Sequence, residues 1–560
     1  MNALKKYIIK TLLLLMAIIV FNANSIFAQD TLTSLTFIGT GEYHPTVIDA
    51  NKILENPSII DSTKKIPVSG YSINSKKLNT NFTIESIPPA QMVGEPLTKL
   101  YNHLAKIGMG TYASPYAEVW YNILRSKEYA YGMRMKHLSS SATLKDYGFA
   151  GFSDNEISFY GKKFLKEHSL IGNFDYARNV VHFYGYDLSI NTLAKETTIQ
   201  RFNYFSGNAE LLSHYSKPER YNHDVKLSYY NLFDSYKASE NNIKATGFVQ
   251  TAINKETLKV NAAVDYYNYR NEFDTVNNTI ITLNPNFIAS GELYKASIGA
   301  TASVDIFSNT KFYFYPKVEL SYNVFENIII PYAGATGGVQ KNSFKTLTDN
   351  NPFVLSQLTM KNSNTKYELY GGLKGTLSST IAYNAYVGYS SISNLAMYVN
   401  DTTELLQNRF NVIYDDASVL NIRGEISYQS REKLRINLVG EYFNYKMKTE
   451  LRAWYKPQVK ISLSANYNLR DKIVAKVDLF YIDNQFAKQF AADSTTTSGV
   501  KVVAKEFKGV FDANIGLEYR YTKKLGFFLN FNNIANFRYY RYSNYPTQKF
   551  SLMGGLSYSF

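Results

Sequence analysis

Cysteine is absent from the 560 residues, which excludes disulfide frameworks and thiolate metal sites. No apolar run beyond Phe21 approaches the ~20 residues a membrane helix needs. The seven histidines (His44, His103, His137, His168, His182, His214 and His223) all fall in the first half. None pairs with another at the i, i+4 spacing with an intervening glutamate that a helical zinc site uses, so they read as solvated strand or loop residues. "GTGEYH" (39–44) and "GMGTYA" (108–113) contain Gly-x-Gly but lack the third glycine and the helix of a phosphate cradle. No Gly-x-Ser-x-Gly elbow occurs. No catalytic, cofactor or metal site is expected, and the chain does not read as an enzyme; a triad assembled only in space would leave no local signature.

What is present is tyrosine, 48 residues against two tryptophans, within an aromatic share of 15% and a net charge of +14. Side chains with apolar bodies and polar tips collect where hydrocarbon meets water, so this excess suits an aromatic girdle. The first 28 residues read as a signal peptide. Lys5, Lys6 and Lys10 precede the apolar run Thr11–Phe21, and "NSIFAQ" offers cleavage after Ala28. Without that segment the chain keeps eleven of its fourteen net positive charges, assigned to anionic lipid headgroups or an anionic partner. Export is expected, with no helix holding the chain in a membrane.

From about residue 105 onward, apolar and polar residues alternate with period two, which marks strands with one pure apolar face. Leu258, Val260, Ala262, Val264 and Tyr266 alternate with Lys259, Asn261 and Asp265. Leu434 to Tyr442 alternate with Lys433, Arg435 and Glu441, and Val459 to Leu469 with Lys460 and Arg470. Ile473 to Tyr481 alternate with Lys476 and Asp478, and Phe511 to Tyr519 with Asp512, Glu518 and Arg520. A soluble sandwich also alternates, but its strands run about 5 or 6 residues, whereas these fill the 9 to 11 that a tilted membrane strand needs. A Lys or Arg on the lipid face at mid-depth costs roughly 2 to 4 kcal/mol, so the charged set faces a hydrated lumen.

An open sheet edge in hydrocarbon would leave backbone groups unsatisfied, so the sheet closes into a barrel. At roughly 40 to 45 residues per hairpin, residues 98–560 yield an all-β, antiparallel transmembrane barrel of about 22 strands, within a range of 20 to 24. The short segments 522–524 and 430–433 read as periplasmic turns; 270–292, 337–364 and 488–508 read as long outer loops. Residues 29–97 carry five of the 14 prolines between Pro57 and Pro96 and read as an extended periplasmic or lumenal segment, able to dock a periplasmic or outer-membrane protein.

The last 32 residues, "LNFNNIANFRYYRYSNYPTQKFSLMGGLSYSF", resemble the closing hairpin of TonB-dependent outer-membrane receptors. Asn533 to Asn536 match that family's Asn-Leu-x-Asn turn, Tyr539 and Tyr540 its tyrosine pair, and Tyr545 and Pro546 its Tyr-x-x-Pro-type loop. Leu556, Tyr558 and Phe560 match the terminal signal read by the barrel-assembly machinery. "DTLTSLTF" (30–37) resembles the Ton box that contacts the energising protein, while residues 29–97 are about half the length of the family's plug and lack its glycine-rich loops. Arg and Tyr in "NFRYYRY" (536–542) read as girdle residues, with no nucleic-acid partner expected. The resemblance implies a channel or transporter for solutes in the outer membrane. The alternative is a structural or accessory subunit of a multiprotein outer-membrane complex.

Overall fold

The computed structural model describes residues 102–560 apart from 124–125, 190–192, 218–219, 432 and 493–499. The leader, the Pro-rich segment, the Ton-box-like stretch and His44 lie outside the described residues.

Twenty-two strands form one sheet. They begin with β1 (His103–Gly110), β2 (Ser114–Ile123), β3 (Tyr129–Ser140), β4 (Phe152–Phe164), β5 (His168–His182), β6 (Ile199–Ser213) and β7 (Asn222–Phe233). They continue with β8 (Ser239–Ile253), β9 (Glu256–Arg270), β10 (Thr275–Ser290), β11 (Tyr294–Ile306), β12 (Thr310–Tyr322), β13 (Ile330–Gln340) and β14 (Ser363–Ser378). The rest are β15 (Ile381–Asn400), β16 (Phe410–Ser430), β17 (Leu434–Met447), β18 (Val459–Leu469), β19 (Ile473–Ile482), β22 (Val510–Arg520), β23 (Leu525–Asn532) and β26 (Ser551–Ser559). Two small hairpins, β20 (Gln485–Ala492) with β21 (Val500–Phe507) and β24 (Tyr540–Tyr542) with β25 (Tyr545–Pro546), stand outside that sheet.

Every neighbour pairing is antiparallel, and β1 pairs with β26 from Leu104↔Ser559 to Gly110↔Met553. The sheet is therefore a closed barrel. Phe560 N donates to His103 O (3.1 Å) and His103 N to Phe560 O (3.2 Å), completing the ladder at its end. At this seam Gly108 faces Gly555. A Cβ at Gly555 would collide with the carbonyl of Ile107 and the ring of Phe528, which lies buried over both glycines.

One face of each strand is apolar and exposed: Phe159 and Phe174, Val264 and Tyr266, Leu369 and Leu373, Ile422 and Ile426, Leu517 and Tyr519. The other face carries half-buried charge, as in Arg134 between Glu118 and Glu156 (both 3.0 Å). An apolar belt around a closed ring of paired strands is a surface made for hydrocarbon.

Connections on the Phe560 side are short, as at 254–255, 379–380, 431–433 and 521–524, while those on the other side reach 183–198, 341–362, 483–509 and 533–550. Two expected outer loops need correction. Residues 270–292 are mostly strand β10, because "TVNNTIITLNPNFIAS" alternates well enough to extend the sheet, leaving only 271–274 and 291–293 as turns. Residues 488–508 lie in a long connection but contain the β20–β21 hairpin. The 341–362 connection holds the helix α1 (Phe344–Asn350), started by a capping box in which Ser343 N donates to Thr346 Oγ1 (2.9 Å) and Thr346 N to Ser343 Oγ (3.3 Å).

Candidate functional site

The long connections fold together over the barrel mouth. Phe353, from the β13–β14 connection, stacks on Tyr545 with ring centroids 3.8 Å apart. Tyr184, from the β5–β6 connection, meets Tyr545 edge-on at 4.8 Å, and Tyr542 lies 5.3 Å from both Phe410 and Tyr455. Phe344, Phe410, Trp454 and Tyr545 are all fully buried. The strands β5 and β6 stand almost opposite β15 and β16 on the ring, yet Asn408 Nδ2 donates to Phe183 O across it (2.9 Å) and the Tyr545 hydroxyl to Asn408 O. Tyr184 Oη donates to Pro546 O (2.9 Å) and Tyr542 Oη to Asn350 O (2.7 Å). These contacts make a dome with its own aromatic core.

Tyr184, Tyr455, Tyr542 and Tyr545 of this core sit outside the strands of the barrel sheet. Burial pushes the Tyr542 hydroxyl up to about 12 and raises Tyr184, Tyr455 and Tyr545 in the same direction.

The dome is fixed to the inner wall through the 341–362 connection. Phe344 N donates to Glu240 Oε2 (2.6 Å), whose other oxygen accepts from Tyr230 Oη (2.6 Å). Lys341 Nζ pairs with Asp265 (2.8 Å), Asn362 Nδ2 donates to Asp305 (2.9 Å), and Tyr269 Oη to Ser356 O (2.5 Å). Glu240, Asp265 and Asp305 are buried, and the loop adds a partner to each beside those the wall supplies, Asn242 and Lys244 to Asp265 and Asn278 to Asp305.

Beneath the dome a cavity of about 380 Å³ opens between Phe353 and Tyr545 above and strands β4, β5, β22 and β26 beside it. Its polar lining includes Arg541, Lys549, His182, Tyr539 and Gln548. Asp512 also lines it but is engaged, accepting from Ala513 N (2.7 Å) and Ala535 N (3.2 Å). Gln548 is engaged too, donating from Nε2 to Ser140 Oγ (3.2 Å), so the positive charge of Arg541 and Lys549 is what suits this lining to anionic oxygen.

The sequence-expected lumenal residues are spread around the wall and not gathered at this cavity. Asp265 anchors the loop, and Lys259 Nζ lies 4.0 Å over the Phe248 ring. Arg423 pairs with Glu441 (3.7 Å), Lys476 with Asp478 (2.9 Å), and Glu518 with Lys106 (3.4 Å) and Arg520 (3.2 Å). Lys460 lies 6.0 Å over Phe443, and Arg435 stands in register with Gln429 and Asn466. Lys433 and Arg470 fall in turns. Leu556, Tyr558 and Phe560 are exposed on the apolar outside. His182, read as solvated, is buried and bonds Thr198 Oγ1 through Nδ1 (3.0 Å).

The "NFRYYRY" stretch is not a girdle. The loop that carries it turns inward, placing Tyr542 in the dome core and Tyr540 against Tyr147 Oη (3.1 Å). The Asn533 and Asn536 positions have φ of 51° and 56°, where asparagine is tolerated. Asn533 Nδ2 then donates to Phe537 O and Gln548 O (both 2.8 Å), pinning the two ends of the loop. Sequence reading passed over Phe353, Trp454 and Phe344, since isolated aromatics in polar loops carry no periodicity; the tyrosines of the closing motif were the one usable signal.

No family model matches the chain, and no curated protein matches it. Solved structures do. The FrpB iron transporter from Neisseria meningitidis superposes with a TM-score of 0.63 at 10% identity, covering 83% of this chain and 82% of that one. The siderophore receptor PirA from Acinetobacter baumannii gives 0.62 at 10% identity, covering 83% and 81%. The FpvAI–pyocin S2 complex structure gives 0.60 at 11% identity, covering 83% and 71%. The chain is thus similar in fold to TonB-dependent siderophore receptors, with which it shares a closed barrel of 22 antiparallel strands.

Proposed function

We propose that this protein is an outer-membrane transporter that takes a solute from outside through its barrel, with the loop dome as the outer gate. One observation carries this reading: loops from opposite sides of the ring meet in a single buried aromatic core over the mouth. A subunit serving only as scaffold has no need of a closed mouth above a hydrated lumen. The chain's similarity in fold to an iron transporter and a siderophore receptor supports a metal-chelate cargo, and the cationic Arg541 and Lys549 under the dome suit the anionic oxygens of such a chelate.

Replacing residues 343–359 by a short Gly-Ser linker removes α1 and Phe353 together. In planar bilayers the variant should show a steady conductance well above the native protein. Absence of conductance steps in both proteins at any voltage, with stoichiometric co-purification of a second polypeptide, would establish the accessory-subunit reading instead.

A further inference from the structure

The barrel wall has one weak seam. Strands β12 and β13 pair only from Val318↔Ala335 to Ser321↔Tyr332, whereas β12 pairs with β11 along its whole length, from Tyr294↔Tyr322 to Ile306↔Thr310. The sequence writes this weakness into both strands. Pro316 sits in the middle of β12, and proline belongs on strands whose outer edge is unpaired. Across from it β13 shifts register between Thr336 and Gly338, a bulge built on Gly337 and Gly338.

The stretch without partners on β13, residues 310–317, carries part of the outward apolar face. Phe312 and Phe314 are 72% and 80% exposed on the apolar outside, above Val318 and Leu320 on the same face. Backbone groups without partners there are costly in hydrocarbon. A side chain spans the opening from within: Tyr315, buried, lies over Gly337, where an added Cβ would come 2.6 Å from its ring, and its Oη donates to Asn364 Oδ1 on β14 (2.7 Å). A single hydroxyl latch stands where a ladder of hydrogen bonds stands elsewhere. Since packed loops cover the axial route outward, the easiest path out of the lumen is sideways.

We infer that the wall opens laterally between β12 and β13, giving an amphiphile with an acyl chain a path between the lumen and the surrounding lipid leaflet. The full chain, reconstituted in vesicles of phosphatidylethanolamine and phosphatidylglycerol containing a phospholipid with a photoactivatable acyl chain, tests this. Illumination should label the inward Tyr313 and Tyr315 but not the inward Thr246, on the fully paired β8–β9 seam. The double variant Tyr315→Cys, Gly337→Cys forms the chain's only disulfide; oxidation should abolish labelling at Tyr313, and reduction should restore it. In the native protein, alternate β12 amides between Thr310 and Lys317 should exchange with solvent at least tenfold faster than those of β11. Label confined to Phe312 and Phe314, equal label at Thr246, or full protection of the β12 amides would overturn the inference. None of these readouts depends on transport, so the lateral path and the proposed function fail separately.

Discussion

Trp454 is the largest fully buried side chain, held in the dome by donation from Nε1 to Glu450 Oε2 (2.8 Å), which Lys488 also pairs (2.8 Å). Trp454→Ala leaves a cavity and takes one donor from a carboxylate that Lys488 still pairs, so the dome should lose about 3 to 5 kcal/mol. Limited proteolysis should then cut the 448–458 and 533–550 connections while the barrel strands stay resistant. Tyr542 yields a pH prediction. Its folded pKa, about 12, lies above the ordinary tyrosine value near 10, so the neutral hydroxyl is favoured in the fold. The stabilisation is fully present below about pH 10 and is lost as pH rises through 12. Tyrosinate absorbance and loop proteolysis should rise together over that window. Conductance onset at neutral pH with no alkaline change would contradict a tyrosine-sealed gate.

At the scale of the element, the strands were legible because a buried-outside, wet-inside wall forces alternation over the full length of each strand. Leu258–Tyr266 and Phe511–Tyr519 illustrate this, and the count of 22 followed from hairpin length. Residues 270–292 misled because Asn277, Asn278, Asn284 and Asn286 look loop-like, yet Asn278 and Asn286 are buried on the inner face of β10, where asparagine is as welcome as charge. The dome was nearly invisible, since its core is assembled from single aromatics contributed by connections far apart in sequence. Closure at β1–β26 has its own test. Gly555→Leu would drive a side chain into Ile107 O and Phe528, so the variant should lose heat-modifiable migration on gels and accumulate unfolded. Gly161→Leu, at a position with open space around its Cα, should keep it.

For the whole molecule, the exposed apolar belt and the polar wall divide the barrel into a lipid side and a water side, and this division is what makes sequence reading productive. It says little about what the proposed transporter would carry, because the mouth is built from loops, whose residues obey no repeat. The fold shared at 10% to 11% identity with FrpB, PirA and FpvAI makes the same point: the wall tolerates nearly any residue of the right polarity, and specificity resides elsewhere.

The handclasp of His103 with Phe560 reaches beyond statics. Because the opening ribbon finds its second neighbour only in the closing one, two bare edges persist until β26 has been made, at the largest sequence separation the ring contains. Such an intermediate would aggregate if left alone. Circularisation is therefore the final and committing event of biogenesis, and a shortened nascent polypeptide should be degraded, never inserted as a smaller pore.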